Sequence, residues 1–328
     1  MRISPSNKPL VLVTMGDSRG IGPEILIPTL QDRSLTRLAD LILIGELASM
    51  KKAAKTKRAR VSFNEIGLRE LSDPKKRPIK RGSINIINVD SEDKGRAPVE
   101  YIDAAISLIE SGLSSALATA PVNKEAITRS GIKFQGHTEY LAARADTKKV
   151  AMMFTGGRLK VTVVTRHIPL KDVSRALTID KIKDAALLTY AALRRDFKIE
   201  RPKIGVCALN PHAGEGGTIG LEERDIISPA IKALKPKIRA ISGPIPADSA
   251  FNLLYNGKVD SLIAMYHDQA LIPVKTLGRQ SCVNVTLGLP YARTSPVHGT
   301  AYDIAYKGVA DPSSMREAVR LACRLAKH

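Results

Sequence analysis

The sequence predicts an α/β fold: a mostly parallel sheet with helices on both faces. Two observations lead there. Short apolar, β-branched runs recur along the chain, and amphipathic stretches of helical length lie between several of them. Strands of that kind, separated by helices, are the signature of parallel sheets buried on both faces. A length of 328 residues, at 44% hydrophobic and 25% charged, supplies a sizeable core and excludes wholesale disorder. At about 150 residues per domain, the length suggests two domains.

The elements follow in order. Leu10–Met15 reads as the first strand, and Gly22–Leu30 as a helix whose Pro23 suits the first turn. Strands are expected at Leu41–Ile44, Ile84–Val89 and Ser115–Ala120, with a helix at Val99–Ser111. Beyond them come strand Lys160–Thr165, helix Ile179–Phe197, strand Ile204–Leu209, helix Arg224–Leu234, and strands Ser261–Tyr266 and Ser281–Thr286. Asp73-Pro74 and Arg77-Pro78 punctuate a loop and do not make a domain linker. No stretch approaches the roughly 18 apolar residues of a membrane span. The start, Met1–Pro9 with Arg2 and Lys8, runs into a short apolar segment that meets Asp17 and Arg19, unlike a signal peptide. Cys207, Cys282 and Cys323 are far apart and form no CxxC, which points to reduced thiols in a cytoplasmic protein.

Lys plus Arg total 51 and Asp plus Glu 32, a net charge of +19. Such an excess can mark a nucleic-acid binder. Its distribution argues otherwise: Lys51–Arg81 holds twelve basic residues against Glu65, Glu70 and Asp73, about half the excess in one poorly patterned stretch. With no Trp and 4% aromatic residues, stacking platforms for single strands are scarce. A solvated basic surface and a preference for small anions are the simpler reading.

Unusual polar residues fall just after the expected strands: Asp17, Asn123-Lys124, His167, His212 and His267. Open α/β sheets bind ligands at the carboxyl ends of their strands, so these residues predict one shared cleft. Three histidines with an open position suit a catalytic divalent ion such as zinc, although gaps of 45 and 55 residues match no compact zinc signature. Taken singly, each histidine is more often structural or surface than a ligand; their shared placement favours function. The loops Gly16–Glu24 and Gly214–Gly217 lack both the Rossmann and the P-loop spacing. They are either turns needing positive φ or anion-facing backbone. Thr294–Ala301 is a hydroxyl-rich loop leading into a helix at Tyr302–Ala305, a place that could hold a nucleotide. Lys275, Asn284 and Arg293 flank it and could bind a phosphate, or be surface and strand-end residues.

GIGPE, APVNKEAI, GHTEYLA, TRHIPL, LNPHAGEGGTIGLEE, GPIPADSAF, MYHDQ, VNVTLGLPYARTS and HGTAYDIAYKG occur in that order over nearly the whole chain. Together they resemble the 4-hydroxythreonine-4-phosphate dehydrogenase family of pyridoxal phosphate biosynthesis. The resemblance implies an isopropylmalate dehydrogenase-like fold with the active site in the interdomain cleft. One discontinuous domain, 1–125 plus 248–328, would carry the cofactor loop; a second, 126–247, would carry dimer contacts. It implies a homodimer with a shared active site. A divalent ion (Zn, alternatively Mg or Co) would be held by His167, His212 and His267, one of them from the partner subunit. Substrate contacts are implied at His137, Thr138, Lys275, Asn284 and Arg293. Lys275 or Asp248 is the candidate for proton transfer. The HGTAYD segment, with His298, Gly299, Thr300 and Asp303, would bind NAD or NADP.

The implied reaction is oxidation of 4-phosphooxy-L-threonine at C3, then decarboxylation to 3-amino-2-oxopropyl phosphate. A paralogue acting on 4-phospho-D-threonate or 4-phospho-D-erythronate would keep the same metal and phosphate residues. A third reading, a fold relative that binds an anionic partner without catalysis, is opposed by the intact histidines. Two departures stand out. Ser18-Arg19 replaces the family's usual Pro-Ala, and Val297 stands where an acid usually precedes HGT, a change that bears on cofactor affinity or selectivity.

Overall fold

The computed structural model describes residues 8–71, 78–278 and 281–326. Asp73-Pro74 and Arg77, the first seven residues and the terminal His328 lie outside the described residues. The chain forms two compact units, Met1–Leu141 with Pro290–His328, and Ala142–Leu289. Strands run over β1 (Leu10–Thr14), β2 (Asp40–Gly45), β3 (Ser62–Glu65), β4 (Ser83–Asn88), β5 (Ala116–Thr119) and β6 (Ala151–Gly156). They continue with β7 (Leu159–Val163), β8 (Ile204–Cys207), β9 (Ile241–Ile245), β10 (Ser261–Ala264), β11 (Val283–Leu287) and β12 (Ala292–Pro296). Helices α1 (Gly22–Leu30), α2 (Arg33–Leu38), α3 (Leu47–Thr56), α4 (Ala97–Glu110), α5 (Lys124–Arg129) and α6 (His137–Arg144) come first. Then follow α7 (Val173–Ala176), α8 (Ile179–Arg195), α9 (Ser228–Leu234), α10 (Ala247–Tyr255), α11 (His267–Gly278) and α12 (Ser313–Leu325).

The first unit orders its strands β3-β4-β2-β1-β5-β12, every pair parallel. β1 and β2 are buried at every position, as central parallel strands require. The C-terminal α12 covers this sheet with Met315, Ala318, Val319, Ala322 and Cys323 at the i, i+3, i+4 spacing of an amphipathic helix. The second unit orders its strands β11-β6-β7-β10-β8-β9. Here β7, β10, β8 and β9 are parallel, whereas β6 runs antiparallel to both β7 and β11. Its core gathers Ile182, Leu193, Ile204, Val206, Ile227, Ile231, Ile263 and Met265. Each fully buried side chain of that kind contributes about 1.5–3 kcal/mol.

All eight expected strands are present, within two residues or so of their expected ends. Four others carry weaker patterns. β6 is Met-rich, β3 is polar, β9 contains Gly243-Pro244 and lies at the sheet's end, and β12 contains Arg293 and Pro296. Residues 51–71 are more ordered than the charge of the stretch suggests, since they complete α3 around buried Met50, Ala53 and Ala54 and then supply β3. The helix expected at Arg224–Leu234 begins as a π-helical turn, Glu223–Ile227, and continues as α9. No helix forms at Tyr302–Ala305. Thr294–Pro296 is strand, and turns occupy 302–306, with Ala301 and Tyr306 at positive φ. The compact units divide at 141/142 and 289/290, whereas the resemblance places its boundaries at 125/126 and 247/248. The difference arises because β10 pairs with β7 and β8, and β11 with β6, which ties residues 248–289 to the second unit.

The three cysteines are free and buried. Burial pushes the Cys207 and Cys323 thiols up to about 12, so neither is a thiolate near neutrality. Among the described residues, no helix is long and apolar enough to cross a membrane.

Candidate active site

In the second unit, β10 lies between its parallel neighbours β7 and β8. His167, His267 and His212 therefore follow three adjacent strands at one edge of one sheet. The His167 and His267 rings stand 5.5 Å apart, centroid to centroid. His267 Nδ1 lies 2.7 Å from Asp268 Oδ1, which orients the ring and leaves Nε2 as the outward nitrogen. Phe154 meets the same ring edge-on at 6.1 Å. Asn284 stands opposite Phe154 in the β11–β6 register, so their side chains share a face of the sheet.

Three strand ends are tied together. Gln269 accepts from the Met265 amide at 2.7 Å and donates to the Ala208 carbonyl at 2.8 Å, bridging β10 and β8. Thr165 Oγ1 donates to the Met265 carbonyl at 2.7 Å, bridging β7 and β10. The donor set fits a divalent ion: imidazole rings, one already held by a carboxylate. Among the described residues, no three His, Cys, Asp or Glu side chains are grouped closely enough to hold a metal. A single chain thus brings two of the three expected histidines together.

His212 opens an uncommon backbone. His212, Ala213, Gly214, Glu215 and Gly216 all have positive φ, between 45° and 78°. For a non-glycine residue, left-handed helical geometry costs about 1–2 kcal/mol. Such a run persists only where the surroundings determine it. Glu223, 5% exposed, supplies the surroundings. Its Oε1 accepts from the Leu209 and Asn210 amides, each at 2.8 Å, and its Oε2 accepts from Asn210 Nδ2 at 2.9 Å. A Cβ on Gly214 would lie 2.7 Å from Glu223 Oε2, so only glycine fits there.

Lys275 on α11 and Asp248 in the first turn of α10 are both exposed.

In the first unit, Arg293 on β12 is 2% exposed and donates from Nη2 to Thr119 Oγ1 at 2.7 Å. Burial pulls its pKa down to about 10, which leaves the guanidinium charged at neutral pH. His137 and buried Thr138 open α6. Burial, then the charges of Arg293 and Lys124, hold the His137 pKa well below its ordinary 6.5. A neutral imidazole beside a buried cation is a setting for an anion. Asn123 has a different task from the one its position suggested, since its side chain caps α5 through the Ala126 amide at 2.9 Å.

The His137 shift makes a prediction. Below pH 6.5 the unfolded chain takes up a proton that folded His137 refuses, so stability declines as pH falls; above 6.5 the residue adds no slope. Urea titrations between about pH 8 and 5 should show wild type losing up to about 1.4 kcal/mol per pH unit more than His137→Asn. Parallel profiles for the two proteins would show that His137 titrates normally.

The segment implied to bind the cofactor packs on the first glycine loop. Ile21 donates to the Thr300 carbonyl at 2.9 Å, and a Cβ on Gly20 would lie 2.7 Å from that oxygen. Asp17, 1% exposed, accepts from the Tyr302 hydroxyl, which burial and that bond push up to about 12. Gly299 and Asp303 are exposed. Among the described residues, His137 Nε2, Asn284 Oδ1 and His298 Nε2 are buried polar atoms without a hydrogen-bond partner in the chain. Buried polar groups are normally satisfied, so these three fit residues that meet a ligand. Thr14 Oγ1 and Tyr101 Oη, at positions the sequence did not single out, are buried without such a partner as well.

Residues 37–322 match the family described as pyridoxal phosphate biosynthetic protein PdxA. The chain belongs to this family. It is 40% identical to a 4-hydroxythreonine-4-phosphate dehydrogenase of Desulforapulum autotrophicum, over 96% of this chain and 95% of that one. It is 39% identical to a D-threonate 4-phosphate dehydrogenase of Cupriavidus necator, over 97% of each. The crystal structure of 4-hydroxythreonine-4-phosphate dehydrogenase from Klebsiella pneumoniae superposes with a TM-score of 0.88 at 36% identity, covering 98% of this chain and 99% of that one.

Within the PdxA family, the structure gives a side-chain role to one of this chain's departures, Arg19; the bonds at Ser18 and Val297 are made by their backbone, and nothing in the structure explains those two side chains. Arg19 forms an ion pair with Asp17 at 3.0 Å, and the Ser18 carbonyl accepts from the Tyr306 hydroxyl at 2.6 Å. Val297 donates its amide to Ser314 Oγ at 3.4 Å. Glu223 and Gln269 escaped attention as site residues, although both sit inside quoted motifs, LNPHAGEGGTIGLEE and MYHDQ. The available signal was an acid and an amide next to histidine-bearing loops.

Proposed function

We propose that this PdxA-family chain is an NAD(P)- and metal-dependent dehydrogenase of 4-phosphooxy-L-threonine, acting in pyridoxal 5'-phosphate biosynthesis as a cytoplasmic homodimer. The observation that carries the reading is the histidine set at the ends of three adjacent parallel strands. Full-length similarity to 4-hydroxythreonine-4-phosphate dehydrogenases supports the substrate.

Arg293, with Lys275, holds the phosphate dianion by charge. His137, Thr138 and Asn284 orient the substrate through hydrogen bonds. His167, His212 and His267, one of them from the partner subunit, would hold the divalent ion, zinc or alternatively Mg or Co. Such an ion would supply Lewis acidity for the oxidation. His298, Gly299, Thr300 and Asp303 would hold NAD or NADP, whose nicotinamide would supply the hydride acceptor for the oxidation at C3. Asp248, or Lys275 as the neutral amine in place of its charged contact with the phosphate, takes the C3 hydroxyl proton. The resulting β-keto acid breaks its C1–C2 bond, carbon dioxide leaves, and C2 gains a proton to give 3-amino-2-oxopropyl phosphate.

A second reading, dehydrogenation of 4-phospho-D-threonate or 4-phospho-D-erythronate, is favoured by the comparable identity to a D-threonate 4-phosphate dehydrogenase. Metal-reconstituted protein assayed with NAD or NADP and each of the three substrates separates the readings. The main reading expects metal-dependent turnover of the amino acid substrate. Turnover of the hydroxy acids alone would transfer the chain to the second, and inactivity on all three with metal bound would end both.

A further inference from the structure

We infer that Glu223 is a positioning residue for His212, fixing the exit of β8 so that this histidine reaches a divalent ion from a set direction; the inference rests on the metal-dependent reading above. The chain leaves β8 at Cys207 and reaches His212 five residues later. Across that interval Glu223 holds two successive backbone amides on one oxygen, Leu209 and Asn210 at 2.8 Å each. Its other oxygen holds the Asn210 side chain, which also donates to Glu222 Oε2 at 2.7 Å. Glu222 in turn accepts from Ser174.

The contact extends past the histidine. Gly214 lies so near Glu223 Oε2 that a single added carbon would collide with it. The carboxylate therefore holds the loop before His212 by hydrogen bonds and abuts it at Gly214 beyond, while His212 itself sits in a left-handed conformation at φ 51°. Among the described residues, no cation pairs with Glu223, so its buried charge is balanced by these N–H donors. Without that acceptor, two buried amides would lack a partner and the left-handed run could relax toward ordinary geometry. The histidine would remain in the sequence and lose its aim.

The test uses full-length protein and its Glu223→Asp and Glu223→Gln variants. Aspartate keeps the charge but is too short to reach both amides. Glutamine keeps an oxygen on the two backbone amides and gives up only the acceptor facing Asn210 Nδ2. Zn²⁺ affinity by chelator competition, the visible spectrum of bound Co²⁺, and urea midpoints would be measured for each. Groups that orient metal ligands typically change affinity by about 10–100-fold. E223D should weaken Zn²⁺ by that amount and alter the Co²⁺ spectrum, while E223Q stays within a few-fold of wild type. In a His212→Ala background, E223D should cost no further affinity. Wild-type Zn²⁺ affinity in E223D, or an equal loss with and without His212, would overturn the inference alone. Absence of Zn²⁺ binding by the unaltered protein would overturn the metal reading and this inference with it.

Discussion

Replacing His267 with alanine is expected to lower kcat by about 1,000-fold or more, the loss that corresponds to several kcal/mol of transition-state stabilisation. The expectation follows from its place. His267 begins α11 at the end of β10, the middle strand of the histidine-bearing three, and its ring stands 5.5 Å from that of His167. Asp268 orients the ring through Nδ1. Changing Asp268 to asparagine keeps the ring in place and should cost less, about 10–100-fold in affinity or activity. Steady-state kinetics on metal-reconstituted protein, with metal content determined on the same samples, would check both. A His267→Ala protein retaining a tenth of wild-type kcat would remove His267 from the proposed ion site.

Arg293→Met should reduce kcat/KM for the phosphorylated substrate by roughly 30- to several-thousand-fold, equivalent to about 2–5 kcal/mol for a buried charged contact. Methionine fills much of the same buried volume on β12 without the charge. The fold should accordingly survive, and urea denaturation on the same preparation would verify that. The loss should fall mainly on KM, because phosphate binding is common to ground and transition states. Arg293→Lys should recover only part of it, since an ammonium lacks the planar fork of the guanidinium. Unchanged kcat/KM in Arg293→Met would mean that the phosphate is bound elsewhere.

Much of this architecture is legible in the residues. Runs such as Leu10–Thr14 and Leu41–Ile44 are apolar on both faces, and only a parallel sheet between helices buries both. The placement of His167, His212 and His267 just after such runs is equally readable, because strand ends are where these folds bind ligands. Sheet order is not. Nothing local announces that β10 lies between β7 and β8, so the adjacency of the histidines emerges only in three dimensions. β12 escapes notice because Arg293 and Pro296 read as loop chemistry, yet tertiary packing buries Arg293 almost completely. The expected helix at Tyr302 fails for a similar reason. Tyr302 and Tyr306 spend their hydroxyls on Asp17 and the Ser18 carbonyl, distant partners that hold turns in place. Asn123 shows the converse: a polar residue at a strand end, taken up by its own helix.

The Gln269 bridge carries a thermodynamic consequence. One side-chain amide joins the Met265 amide and the Ala208 carbonyl, and Thr165 fastens the third strand to the carbonyl of the same residue, Met265. The strand ends preceding all three histidines are therefore ordered when the chain folds. Ordering a flexible backbone costs about 1–2 kcal/mol per residue, and here that entropy is lost during folding instead of at ion capture. Ion binding at this edge should thus show a small entropic penalty, and the amides of Thr165 and Met265 should exchange with deuterium together, as parts of one cooperative lip.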